Sequence, residues 1–203
     1  MTRQRQPTRP LVLAAARRCL LDDGYAGLST RNVASQAGVP LSQVHYHFGS
    51  KIGLVLSLLQ AENERRLERQ TQMYGLERPL WERYDQACDF LEDDLDSGYV
   101  RLLQELVAAG WSNPELGQAA QELLEGWFRL LAEVAQEAAD RLGGLGPFTP
   151  EEVATLIGAM FAGGESLLLL GFESPAVPVR QALRRVGEAI RQLEERSGGG
   201  GTR

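Results

Sequence analysis

The residues best placed to do chemistry in this chain lie together at positions 29–51, STRNVASQAGVPLSQVHYHFGSK. Their chemistry is recognition of a polyanion. Ser42, Gln43, His45 and Tyr46 fall on one short helical stretch, and Lys51, the only lysine in the sequence, follows. Gln43 can pair through two hydrogen bonds with an adenine edge, and Ser42 can adapt to several bases. His45 can donate to a guanine edge or to a phosphate, depending on where its proton sits. His47 is open to two roles, packing or DNA contact. The two histidines stand two residues apart on a helix and share no face, so no metal site is expected there.

Such side chains need a scaffold that presents them outward, and the same stretch supplies one. Ser29 or Thr30 caps a helix in which Val33, Ala34 and Ala37 face inward, and Gly38 stops it. Pro40 fixes φ at the start of the next helix, where Leu41, Val44 and Phe48 face inward. Gly49 and Ser50 break the chain again, and Ser50 caps a helix that begins at Lys51. Two short helices joined by a tight turn form a helix-turn-helix, whose second helix enters the DNA major groove. Thr30 and Arg31 open the first of the pair, where free backbone N–H groups favour a phosphate. A cation at Lys51 opposes the helix dipole, which points to a role other than helix stability. Upstream, Leu11, Val12, Ala15, Ala16, Cys19 and Leu20 recur at three- and four-residue spacing and predict a further helix, from Thr8 to Asp23-Gly24. The residues before it form a basic arm, and Arg3, Arg5 and Arg9 add non-specific attraction to phosphate.

The charge distribution agrees. The first 51 residues carry seven basic side chains against two acidic ones, a net +5, which leaves −11 for the remainder of a chain whose total is −6. A basic head on an acidic body suits a polyanion-binding module joined to a domain with another task.

The remaining 152 residues read as helices at about 51–74, 79–96, 98–109, 115–142, 150–171 and 176–196, separated by glycine, serine and proline breaks. No alternating strand pattern occurs. The expected class is all-α, with about nine helices. Residues 1–50 form the DNA-binding domain, with its motif at about 29–48. Residues 51–203 form a second domain, with 51–74 as connecting helix and 197–203 as a flexible tail. No uncharged apolar run reaches 18 residues and no signal-type leader opens the chain, so a cytoplasmic protein without a membrane span is expected. Cys19 and Cys88 lack metal-ligand spacing and are expected as buried, reduced thiols.

At residues 24–51 the sequence resembles the TetR family of bacterial transcriptional regulators. The resemblance rests on Gly24-Tyr25, Ser29-Thr30, Ala37-Gly38-Val39, His45-Tyr46, His47-Phe48 and Ser50-Lys51. Three positions depart from the family pattern. Pro40 replaces a frequent serine, Ser42 a frequent glycine and His45 a common tyrosine, so no operator sequence transfers from another member. The resemblance implies that Tyr46 and Lys51 contact phosphate. Thr30, Arg31, Ser42, Gln43 and His45 complete the candidate DNA-binding set.

The resemblance also implies a body that binds a small-molecule effector and dimerises through its last two helices, at about 150–171 and 176–196. Val179, Ala182, Leu183, Val186, Ala189, Ile190 and Leu193 form an apolar seam that suits either such a dimer or packing within one chain. Candidate pocket residues are Trp81, Tyr84, Cys88, Leu103, Leu106, Trp111, Trp127, Phe128, Met160 and Phe161, a set that fits an ordinary core equally well. Glu165 is the only ionisable group between Val153 and Phe172. It can face the pocket, the dimer interface or solvent. The chain shows no nucleophile elbow, phosphate loop, metal-ligand spacing or paired acids, so neither catalysis nor a cofactor is expected. The reading is a ligand-responsive repressor released from a palindromic operator. An all-helical enzyme or carrier, and a DNA binder without an effector, are the rivals.

Overall fold

The computed structural model describes residues 8–198, which hold nine α-helices. They are α1 Thr8–Gly27, α2 Thr30–Ala37, α3 Leu41–Phe48, α4 Lys51–Tyr74, α5 Leu80–Asp96, α6 Tyr99–Gly110, α7 Pro114–Leu142, α8 Pro150–Leu169 and α9 Val179–Gly198. Extended pairing among the described residues is confined to one isolated bridge, Ser174 to Val177. The all-α class is therefore as the sequence predicts. Arg3 and Arg5 lie outside the described residues. Ser197 and Gly198, expected in a flexible tail, form the last turn of α9, and the residues beyond them also lie outside.

The chain divides into two compact units, and the division does not follow the sequence boundary at residue 50. One unit is the chain up to Arg65 together with Arg101–Leu123; the other is Arg66–Val100 with Leu124 onward. In the first unit α1 packs on α2 and α3. The predicted inward stripe of α1 is completely buried at Val12, Ala15, Ala16, Cys19 and Leu20. Regular helix is interrupted at Gly24, whose φ of +67° strains any residue with a Cβ. Beyond the break, the backbone N–H of Tyr25 donates to Glu105 Oε2 of α6 at 3.0 Å. A long-range carboxylate thus satisfies a donor that the broken helix leaves open.

In the second unit α9 packs along α5 and α8. Its seam splits in two. Val179 and Leu183 are buried and Val186 and Ile190 half-buried against this unit's core, whereas Ala182, Ala189 and Leu193 are exposed. The cause is angular: residues at three- and four-residue steps from 179 to 193 cover a wider stripe than one neighbour can bury. Polar links fix the pairing of α9 with α5. Arg180 reaches Glu92 at 2.8 Å and Arg184 reaches Asp89 at 2.7 Å. Pro79 offers no capping side chain, and the first N–H groups of α5, at Leu80 and Trp81, donate instead to Glu194 at 2.9 and 3.1 Å. An anion at that end also meets the favourable pole of the helix dipole.

Two ion-pair networks hold buried positions in the same unit. Arg83, 2% exposed, forks onto Glu137 at 2.7 and 3.0 Å and donates to the Tyr74 carbonyl. Asp94, 8% exposed, accepts from Arg66 and Arg69, each at 2.9 Å. The start of α8 carries a complete capping box, Thr149 with Glu152, and Pro150 in the first turn. Among the described residues α8 alone has the length and apolar composition of a membrane span. One face of it, at Ala154, Gly158, Phe161 and Gly164, is buried. The other leaves Leu156, Ala159, Gly163 and Leu167 exposed at helical spacing.

Candidate nucleic-acid interface

The interface begins with the two turns that aim α3. Ser29 caps α2 by accepting from the Asn32 N–H at 3.2 Å. At its other end Gly38 is left-handed, with φ +65° and ψ +32°. Val39 N–H bonds back to the Ala34 carbonyl and Gly38 N–H to that of Ser35, at 3.1 and 3.2 Å, the pairing of a Schellman ending. Pro40 then starts α3, which closes at Gly49. Ser50 caps α4 by accepting from the Gly53 N–H at 3.0 Å.

With both ends held, α3 presents two faces. Val44 and Phe48 are buried and Leu41 half-buried. Ser42, Gln43, His45, Tyr46 and His47 are all exposed, Tyr46 at 81%. A tyrosine this exposed contributes nothing to a core. Its ring meets that of His47 edge-on at 5.1 Å, which braces it on the outer face. His45 Nδ1 lies 3.0 Å from the Gly49 carbonyl, so one ring nitrogen helps close the helix and only the other is left for an outside partner. Arg31 is exposed at the start of α2, and Thr30 is half-buried. Arg9 lies over the Phe48 ring, 5.9 Å from its centroid. Ser42, Gln43, His45 and Tyr46 therefore share one outer surface.

Lys51 is placed differently. Its Nζ donates to the Tyr25 carbonyl at 2.6 Å and to that of Ala26 at 3.5 Å, and sits 4.3 Å from the centre of the Tyr25 ring. Burial pushes the ammonium pKa down from its ordinary value of 10.5. The family resemblance implies a phosphate contact for Lys51, and the unfavourable dipole points to a role other than helix stability. In the structure the carbonyls that follow the α1 break engage its ammonium.

The body contains a cavity of about 490 Å³ within the second unit. Tyr74, Leu80, Tyr84, Leu131, Val134, Ala135, Ala138, Leu142, the loop Gly144–Gly146, Val153, Ala154, Ile157, Val186, Ile190, Leu193 and Ser197 line it. Of the eleven residues proposed from sequence, Tyr84 alone is in this wall. Cys88, Phe161, Trp127 and Met160 belong to the adjoining core instead. Leu103 and Leu106 are buried in the first unit, and Trp111 is 83% exposed. Trp81 borders a more polar groove with Arg78, Arg141, Arg191 and Glu194. Phe128 is half-buried, its ring beside Gly158. Glu165 is half-buried on α8, outside the cavity wall. Sequence reasoning favoured aromatics, whereas this wall includes the small residues Ala135, Ala138, Gly144 and Gly146. Both cysteines are free and buried. Among the described residues no group of three His, Cys, Asp or Glu side chains could hold a metal ion.

A helix-turn-helix head on a helical body defines a DNA-binding transcriptional regulator. Residues 12–58 match the family described as bacterial regulatory proteins, tetR family. No curated protein sequence matches the chain. Solved structures match over most of its length. Reduced NemR of E. coli is 16% identical with a TM-score of 0.74, covering 90% of this chain and 96% of that one. FadR of Bacillus subtilis in complex with stearoyl-CoA is 18% identical with a TM-score of 0.72, over 88% and 96%. A putative transcriptional regulator from Saccharomonospora viridis in complex with choline is 20% identical with a TM-score of 0.72, over 91% and 95%. At these identities the likeness is one of fold.

Proposed function

We propose that the chain is a repressor that binds a palindromic operator as a homodimer and releases it when a small molecule enters the body. The observation that carries the reading is the two-faced α3, with Val44 and Phe48 buried and Ser42, Gln43, His45 and Tyr46 outward. Gln43 and Ser42 read base edges, His45 reads a base or a phosphate, and Tyr46, Thr30 and Arg31 hold the backbone. Lys51 acts as an internal anchor. Two copies are needed because one helix of eight residues spans too few base pairs, and a two-fold pair matches a palindrome. The exposed strip Leu156, Ala159, Gly163 and Leu167 of α8, with Ala182 and Ala189 of α9, is the surface on which the copies pair. The site of action is the cytoplasm, and the protein performs no catalytic step of its own.

Release follows from α4. It starts at Lys51 behind the recognition helix and ends at Tyr74 in the cavity wall. A molecule that displaces Tyr74 changes the set of α4, and with it the spacing of the two recognition helices. A coupling of about 1–3 kcal/mol is enough to make ligand and operator compete. Two relatives in fold were solved with small molecules bound, stearoyl-CoA and choline, which supports a sensing body.

The test is a mobility shift with palindromes taken from the DNA that flanks the gene. The expected result is retarded duplex at low salt, a changed base preference for Gln43→Ala, and uniformly weaker binding for Tyr46→Phe. A protein that ignores every duplex at low salt sinks the reading.

A further inference from the structure

Tyr25 lies just past the break in α1, and both of its backbone groups are taken by charged side chains from elsewhere in the first unit. Its N–H donates to Glu105 Oε2 at 3.0 Å, and its carbonyl accepts from Lys51 Nζ at 2.6 Å. Hydrogen bonds to ionised partners are the stronger kind, so this residue is pinned from two sides. Glu105 stands on α6, which is rooted by Leu102 and Leu106, 0% and 1% exposed. Lys51 stands at the start of α4, two residues after Gly49 closes α3. The link between those helices has no slack. Gly49 N–H bonds to the His45 carbonyl at 2.9 Å, Ser50 N–H to the Phe48 carbonyl at 2.7 Å, and the Ser50 hydroxyl accepts from Gly53 N–H at 3.0 Å. α3 therefore follows wherever Lys51 is held. Gly24 makes room for the carboxylate, since a Cβ there would stand 3.2 Å from both Glu105 oxygens.

We propose that Glu105 is a positioning residue for the recognition helix: through the Tyr25 backbone and Lys51 it fixes the set of α3, and with it the aim of Ser42, Gln43, His45 and Tyr46. The proposal rests on the DNA-binding role given to α3 above, and adds to it a residue that touches no nucleic acid. When the carboxylate is removed, the Tyr25 N–H loses its acceptor and the segment that holds Lys51 loses its tie to α6. The recognition helix then samples orientations that fit a duplex poorly. Hydrogen bonds to base edges weaken steeply with misalignment, so affinity falls. Arg31, the cation that meets phosphate, is untouched, so the salt dependence stays.

The test uses the full chain and two readouts. Lys51 is the only lysine, so carbon-13 placed at lysine Cε gives a single side-chain signal in a magnetic resonance spectrum. The ammonium sits 4.3 Å from the centre of the Tyr25 ring, and the ring current displaces that signal from the position of a free lysine. Glu105→Leu should move the signal towards the free position. Glu105→Gln keeps an oxygen to accept from the Tyr25 N–H and should leave the signal near that of the wild type. The second readout is fluorescence anisotropy on a labelled duplex carrying the flanking palindrome, with helicity checked for each variant. Glu105→Leu should bind about tenfold more weakly at an unchanged salt slope, and Glu105→Gln within about threefold of the wild type. The double variant Lys51→Met with Glu105→Leu should bind no more weakly than the weaker single variant, because both act on one residue. Glu105→Ala takes the place of Glu105→Leu where that variant fails to fold. The proposal is overturned by a folded Glu105→Leu that binds as tightly as the wild type, by losses that multiply in the double variant, or by a lysine signal that ignores Glu105→Leu. A wild type that ignores every duplex while its lysine signal responds as expected removes the regulator reading and leaves Glu105 setting α3; wild-type binding with an unmoved signal removes only the proposal.

Discussion

Replacing Lys51 with methionine separates two roles for the only lysine side chain in the protein. Methionine keeps most of the aliphatic stem and removes the charge. In the structure the ammonium donates to the Tyr25 and Ala26 carbonyls and sits over the Tyr25 ring. A hydrogen bond to a charged group contributes about 1.5–3 kcal/mol, and a cation over an aromatic face about 0.5–1 kcal/mol at exposed sites. The site is half-buried, so desolvation offsets part of that sum. A net loss of about 1–2 kcal/mol remains, which in a chain of this size lowers Tm by roughly 2–8 °C. The phosphate-contact role predicts something else. Each phosphate contact adds about 0.9 to the slope of log K against log salt, so removing two per dimer flattens the slope by about 2. Scanning fluorimetry reads the first quantity at fixed protein concentration. Fluorescence anisotropy on a labelled duplex across a salt series reads the second. An anchor lowers Tm and leaves the slope in place. An unchanged Tm with a slope flattened by about 2 would refute the anchor and restore Lys51 to the DNA-binding set.

Three more outcomes are expected from the body. Arg83→Met removes a buried guanidinium from Glu137 and the Tyr74 carbonyl, and should destabilise by about 2–4 kcal/mol in urea unfolding; part of that loss should return in the double variant with Glu137→Leu. The hydrogen bond from Arg83 holds the Glu137 carboxyl below its ordinary 4.5. A depressed acid stabilises the fold fully above that value and less as pH falls through the folded one, so the wild type should lose urea stability faster than Glu137→Gln on acidification below about pH 4.5; equal slopes would dismiss the interaction. Burial pushes the Cys88 thiol up to about 11, so iodoacetamide at neutral pH should label it only after denaturation.

The head was legible because each of its turns makes a demand that one residue type meets. Gly38 takes the left-handed conformation, Ser50 caps, and Val44 and Phe48 sit four apart under a polar outer face. Those requirements are local, and a single sequence displays them. Lys51 shows where the same reasoning stops. Its clash with the helix dipole was visible, but the carbonyls that resolve it lie about 25 residues earlier and become neighbours only through the fold. Glu194 capping α5 from 114 residues away is equally invisible beforehand. The cavity was missed for a related reason. Large apolar residues announce a core, whereas a void exists where side chains are small or diverge, and only tertiary packing decides that. Trp111 was chosen for its size and lies on an exposed bend after α6.

The carboxylate that closes the broken end of α1 belongs to Glu105, and the unit that contains the recognition helix is finished by residues 101–123. A ribosome adding about 5–20 residues per second therefore needs some 3–12 s between releasing Arg65 and supplying Leu123. During that interval the reading head exists without its last support. Cutting the gene after the third helix, or grafting those first helices onto a foreign partner, separates them from a piece of themselves that the chain writes much later.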